Sequence, residues 1–313
     1  MSSDERMRAT TPDGAGENAK RDEDGQDFGT STGDVPTQRR AITLVKHGTQ
    51  FAQTMRLCTA ADLGQAIKPF VCIEHEQLSP FERPGGRLRP FSGMAVLTLV
   101  LSGAAEFEDT TGNKGRLAAG GVAWLMSGRG VWQAAALHSQ EITRIFRIGI
   151  ALRSSAEDVV ARSRYVVPSA VPHEGPVRAI LGRLGSLPGA LDEPEDINVF
   201  HVRLHQGQRW RYSPPLGHTV GWIAVDRGRL RVQHGQSSGA VQSGELAVFE
   251  ESRGLLRMHA EDATSFVIGS SNRHPHPLVF DRFSVHTTQD AMNSAKGEIA
   301  RVGRELLAHG RIP

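Results

Sequence analysis

The chain has 313 residues, 39% hydrophobic and 22% charged, enough for two compact domains or one large one with a sizeable core. Lys and Arg number 36 against 34 Asp and Glu, a formal charge of +2, so no broad field argues for nucleic acid or a membrane surface. Two cysteines, Cys58 and Cys72, are too few for a disulfide framework and fit a reducing compartment.

Residues 1–40 read as a disordered tail. Their first 38 residues hold no Leu or Ile and Phe28 as the one aromatic, so they cannot repay their ordering entropy. No apolar run approaches the roughly 18 residues of a membrane span, which predicts a soluble, cytoplasmic protein without membrane contact.

From Ala41 onward the pattern is short apolar runs punctuated by glycine: MAVLTLVL (94–101), AEFED (105–109), GVAWLM (121–126), ITRIFRIGIAL (142–152), INVFHVRL (197–204) and TVGWIAVDRGRLRVQ (219–233). Their length and β-branched or aromatic content favour strands. Within 142–152, Arg144, Phe146, Ile148 and Ile150 alternate with Thr143, Ile145, Arg147 and Gly149. Both faces are partly apolar, as expected where one lines a barrel interior and the other packs on a second layer.

A Gly-, Pro- and Leu-rich stretch at 168–196 separates two strand-rich blocks, 41–175 and 176–286. The blocks resemble each other: LSGAAEFEDTTGNKGRLAAGGVAWL and VDRGRLRVQHGQSSGAVQSGELAVF share an order of strands and turns, with Gly228 standing for Gly103 and Gly244 for Gly121. A duplicated β-barrel unit is the simplest account. Residues 287–313 predict a terminal helix, capped by Thr287 or Thr288, with Ile299, Val302 and Leu306 on one stripe and Gly310 as its stop.

The strings LSGAAEFEDTTGNKG, GGVAWLMSGRG and PLVFDRFSVHTTQDA resemble motifs of the pirin family, two-domain members of the cupin superfamily. The resemblance implies an all-β fold of two tandem cupin-type barrels (a bicupin) with a pocket in the N-terminal one. In that family the pocket holds a metal, usually iron, bound by a His-Pro-His stretch and by a His and a Glu after the Gly-Arg-Gly turn. Here those positions read Arg89, Phe91, Gln133 and Ala135. A guanidinium has no free lone pair, Phe and Ala offer none, and a neutral amide is a poor ligand for iron, so no metal cofactor is expected there.

Arg89 puts a permanent positive charge where the family has a cation, and its fork suits a carboxylate or phenolate. The expected partner is therefore an anionic or phenolic small molecule, or a protein. Arg129 belongs to the Gly-Arg-Gly turn and joins Arg89, Phe91, Gln133 and Ala135 as a candidate pocket residue.

His274-Pro275-His276 copies the family triplet but lies after the second block, where it reads as an exposed linker. His201, His205 and His218 form the fallback metal site, since the first two share a strand face. Glu74, His75 and Glu76 cluster ahead of the first motif, and no nucleophile elbow, Walker loop, dinucleotide fingerprint or HExxH string occurs. The readings are a metal-free binding or regulatory module, a metal-dependent oxygenase of the quercetin 2,3-dioxygenase type, and a metal-free enzyme in the same pocket.

Overall fold

Strand runs and glycine turns assemble into four layers. The structure, a computed structural model, describes residues 40–78, 88–136, 142–191, 196–234 and 237–312. The tail expected at 1–40 lies outside these residues except for Arg40. Each half contributes a seven-stranded and a four-stranded sheet, and the two large sheets pack face to face at the centre.

Alternation along single strands explains this layering. On Met94–Ser102, Met94, Val96 and Val100 point into the first unit, while Ala95, Leu97, Leu99 and Leu101 point across to the second. Thr143–Ala151 behaves as its sequence predicts: Ile145 and Arg147 face inward, and Phe146, Ile148 and Ile150 face the other unit.

The second unit supplies Val220, Trp222 and Ala224 to that junction and turns Ile223 and Val225 inward. Trp222 meets Phe70 edge-on at 5.3 Å and lies over Gly269, where a Cβ would sit 2.4 Å from the indole. At the rim of the junction Arg144 grips Asp226 with both nitrogens, at 2.8 and 3.3 Å, and His75 lies 3.3 Å from the same carboxylate.

The halves exchange pieces. Ile42–His47, expected within the first block, pairs with Glu245–Phe249 at the edge of the second unit's large sheet. In return, the hairpin Val279–Asp281 and Ser284–His286 crosses back to the first unit through a bridge between Ser92 and Ser284. The terminal helix spans Gln289–Ala308, with the Thr288 hydroxyl accepting from Ala291 N at 3.1 Å. It docks on the first unit's small sheet, where Trp132 Nε1 donates to Ile299 O at 3.1 Å and Leu306 joins Leu88 and Ala134.

The internal repeat is real, with one shift in register. Gly103 and Gly228 both turn a hairpin at positive φ, 72° and 82°, and each abuts a threonine hydroxyl, Thr143 or Thr264. Gly244 N donates to Val225 O, and Gly120 N donates to Val100 O, so the counterpart of Gly244 is Gly120 and not Gly121. Gly120 and Gly244 share the left-handed φ, at 90° and 82°, that fixes the equivalence. Among the described residues, no helix is long and apolar enough to cross a membrane.

Candidate functional site

The first unit's interior is not filled with apolar side chains. Two clusters, one around Val71, Phe91 and Met94 and one around Val100, Phe107 and Ile145, are parted by charged residues. Beside the first of them opens a cavity of about 490 Å³. Its walls include Arg56, Cys72, Glu74, Arg89, Phe91 and Arg147, and the crossing hairpin roofs it with Phe280 and Phe283. Phe91 meets Phe283 edge to face at 5.7 Å.

Inward positions on four strands bring the charges together. Glu74 and Glu76 lie on Phe70–Leu78, Arg147 on Thr143–Ala151, Arg56 on Thr54–Cys58 and Arg89 on Arg89–Phe91. Arg147 Nη1 donates to Glu76 Oε2 at 3.0 Å and lies 3.8 Å from Glu74. Arg56 Nε sits 3.3 Å from Glu74, and Arg89 Nη2 sits 3.7 Å from Glu76.

The network thus runs Arg56, Glu74, Arg147, Glu76, Arg89, with one positive charge in excess. Arg147 is deeply buried, which alone would weaken its hold on a proton, but Glu76 and Glu74 outweigh that and raise its pKa above the ordinary value. Burial pushes the Cys72 thiol up, so it stays neutral.

Two of the five predicted pocket residues line this cavity: Arg89 and Phe91. Gln133 is buried and in register with Arg89 on one side and Asp109 on the other, but it is not among the lining residues. Ala135 pairs with Phe107 on the same strand. Arg129 is exposed at its turn; its backbone N–H donates to Val159 O at 3.1 Å, and the neighbouring Gly130 packs against Ile299 of the terminal helix. Arg129 belongs to the helix docking region rather than the cavity.

The histidines separate. His201 is buried with Nε2 3.0 Å from Ser265 Oγ, and burial lowers its pKa to about 3. His218 contacts Ser270 Oγ at 2.9 Å, five positions further along the same strand, and burial lowers it to about 4. His205 is exposed. His274 is not the exposed linker residue its neighbours suggested: it is 5% exposed, with Nε2 3.0 Å from Leu152 O. Among the described residues, no group of three or more His, Cys, Asp or Glu is placed to hold a metal ion.

Sequence reasoning noted Glu74 and Glu76 as a cluster with His75, and Arg147 on an alternating strand, but placed none of them, nor Arg56, in the pocket. Glu74 and Glu76 sit on a strand and face inward, whereas His75 between them faces the second unit. The signal was present as an alternating Glu-His-Glu and an arginine among Ile and Phe, and a lone inward charge on an apolar strand calls for a partner.

The pirin family model matches residues 51–149, the stretch that carries the charged network of the cavity. A Pseudomonas aeruginosa protein provisionally named quercetin 2,3-dioxygenase is 24% identical over 267 residues, 79% of this chain and 90% of its own length. A pirin-like protein of Caulobacter vibrioides is 42% identical over 65 residues, 21% of this chain and 28% of its own.

Among solved structures, a quercetin 2,3-dioxygenase from Acinetobacter baumannii superposes with a TM-score of 0.77 at 18% identity, covering 84% of this chain and 97% of that one. A bacterial pirin of Escherichia coli solved with nickel(II) gives 0.57 at 16% identity, over 74% and 100%. These structural likenesses establish the cupin-type fold.

The cavity lining does not fit an iron ion: among the described residues no three of His, Cys, Asp or Glu gather to hold a metal, and the candidate residues Arg89, Phe91, Gln133 and Ala135 offer a guanidinium, a phenyl ring, an amide and a methyl group. Glu76, the carboxylate facing Arg89, is already engaged by Arg147.

Proposed function

We propose that the first unit is a metal-free binding module whose cavity takes a small anionic aromatic molecule. One observation carries the reading: the cavity wall combines Arg89, partly exposed and only loosely paired at 3.7 Å, with the rings of Phe91, Phe280 and Phe283. A carboxylate or phenolate would displace the weak Arg89–Glu76 contact and gain the two parallel N–H donors of the guanidinium. The aromatic body would lie against the phenyl rings. The volume, about 490 Å³, suits a ligand of one or two rings.

Glu74 and Glu76 hold Arg147 in place, so the floor of the site is rigid before anything binds. Such preorganisation lowers the ordering cost of binding. Titration of salicylate and related phenolic acids into wild type and Arg89→Ala tests the reading. Saturable binding that the substitution weakens supports it, whereas equal affinity or no binding removes it.

The likeness over 267 residues to a provisionally named quercetin 2,3-dioxygenase favours a second reading, an oxygenase. That chemistry uses a bound metal to hold substrate oxygens and activate dioxygen. Oxygen uptake with quercetin that stays at background after iron, copper or nickel loading rejects it.

A further inference from the structure

The outer face of the second unit's small sheet gathers charge that the chain's formal +2 conceals. The sheet runs in the order Arg209–Tyr212, Leu256–Ala260, Arg229–His234, Ser237–Gln242. Alternation sends Trp210, Tyr212, Leu256, Met258, Leu230 and Val232 into the apolar cluster of that unit. Arg209, Arg211, Arg257, His259, Arg229 and Arg231 are thereby turned outward. Register aligns them: Arg209 pairs with His259 and His259 with Arg231, while Arg211 pairs with Arg257.

Five guanidiniums thus share one face, and the acids stand at one end of it. Glu261 bridges two of the five, 2.8 Å from Arg229 Nε and accepting from Arg231 Nε at 2.7 Å. Asp262 and Glu245 accept from backbone amides at that end, Arg229 N at 2.6 Å and Gln242 N at 2.9 Å. Beyond them Arg209, Arg211 and Arg257 are exposed. Among the described residues, neither Arg209 nor Arg257 has an acidic partner.

The first unit's copy of this face is built differently. Counted from Gly103 and Gly228, Glu106 stands where the second unit has Arg231, and register then sets Ala134 where it has Arg257. Glu106 and Glu108 lie opposite Arg116 and Lys114, so the charges there alternate in sign. The terminal helix covers that sheet, with Leu306 against Ala134 and Arg311 Nη2 2.5 Å from Glu108. One copy of the face is balanced and covered; the other is cationic and exposed.

The chemistry of the face selects its partner. A protein interface closes around buried aromatic or apolar anchors, and the outward residues of these four strands offer no apolar side chain larger than that of Ala240. Single-stranded nucleic acid is held by rings on which its bases stack, and these outward residues include no Phe, Tyr or Trp. A duplex displays its phosphates outward and asks for an array of cations alone, and the guanidinium fork matches a phosphate. We propose that this face binds the phosphate backbone of double-stranded nucleic acid, independently of base sequence, with Arg209, Arg211 and Arg257 as the principal contacts. The cavity of the first unit takes no part in it.

The experiment follows the fluorescence anisotropy of a short labelled DNA duplex of mixed sequence as the full chain is added. Three phosphate contacts predict a slope of about −2.7 for log K against log salt, an affinity loss of roughly 40-fold between about 50 and 200 mM salt. The double substitution Arg209→Ala with Arg257→Ala should bring the slope to about −1 and weaken binding at the lower salt at least tenfold. Arg209→Lys with Arg257→Lys keeps both charges and should keep the slope, and Lys114→Ala on the first unit should change nothing. No binding at the lower salt, or equal slopes in wild type and the double alanine variant, overturns the proposal. So does tighter binding to a single strand of the same length, to phosphatidylserine vesicles or to a polyglutamate peptide than to the duplex.

Discussion

The two units share a plan and differ inside. The second closes into one apolar cluster, in which Phe200, Trp210, Tyr212 and Phe266 interlock and Tyr212 stacks on Trp210 at 6.0 Å. Around Tyr212 its polar groups are neutral and bonded to one another: Asn198 Nδ2 donates to Tyr212 OH at 3.0 Å, and Tyr212 OH meets Ser270 Oγ at 2.6 Å. The first unit instead buries charges beside a cavity. Duplication of a sandwich thus lets one copy hold the structure together while the other carries an expensive interior, since charges cost stability unless each finds a partner.

Substitutions in the two interiors should therefore fail in different ways. Phe266→Ala opens a void in the filled unit and should cost about 3–5 kcal/mol by chemical denaturation, while salicylate binding by the folded protein stays unchanged. A loss under about 1 kcal/mol would show that the second core is not the better packed one.

Glu76→Ala removes the closest partner of buried Arg147. Because Glu74 remains 3.8 Å away, the cost should fall near the lower end for a broken buried pair, about 3 kcal/mol. An unchanged denaturation midpoint would show that Arg147 does not depend on Glu76.

His201 supplies a pH test of the second unit. Its pKa falls from the ordinary 6.5 to about 3 on folding, chiefly through burial. Between those values the unfolded chain binds the extra proton, so stability is complete above about pH 6.5 and declines on acidification by about 1.4 kcal/mol per pH unit. His201→Gln should remove its share of that slope and leave the share of His218, whose pKa falls to about 4.

Arg89→Ala should be the mildest change for the fold and the most telling for the site. With a partly exposed side chain and a 3.7 Å contact, its loss should move stability by less than about 0.5 kcal/mol. Salicylate affinity should fall roughly tenfold, the scale of one charged hydrogen bond. Equal losses in stability and binding would make Arg89 a structural residue.

Much of this contrast was legible in the chain. Alternation in 142–152 announced a strand buried on both faces, and the paired glycines at 103 and 228 announced the duplication. Arg89 and Phe91, expected in the pocket from the resemblance to the pirin family, line the cavity. Other features arise from contacts between distant residues. Ile42–His47 leaves its own half for a strand about two hundred positions away, and Ser92 meets His286 across a similar separation. Local periodicity reports a side chain's face but not its opposite number, so the partnership of Glu76 with Arg147 and the contact of Ser92 with His286 emerge only from the fold.

The central claim is that the first unit binds anions with arginine and without metal. Its most direct test is calorimetric titration of salicylate into protein stripped with a chelator and into the same protein reloaded with iron or nickel. The account predicts the same affinity in both; binding that appears only after metal loading would contradict it.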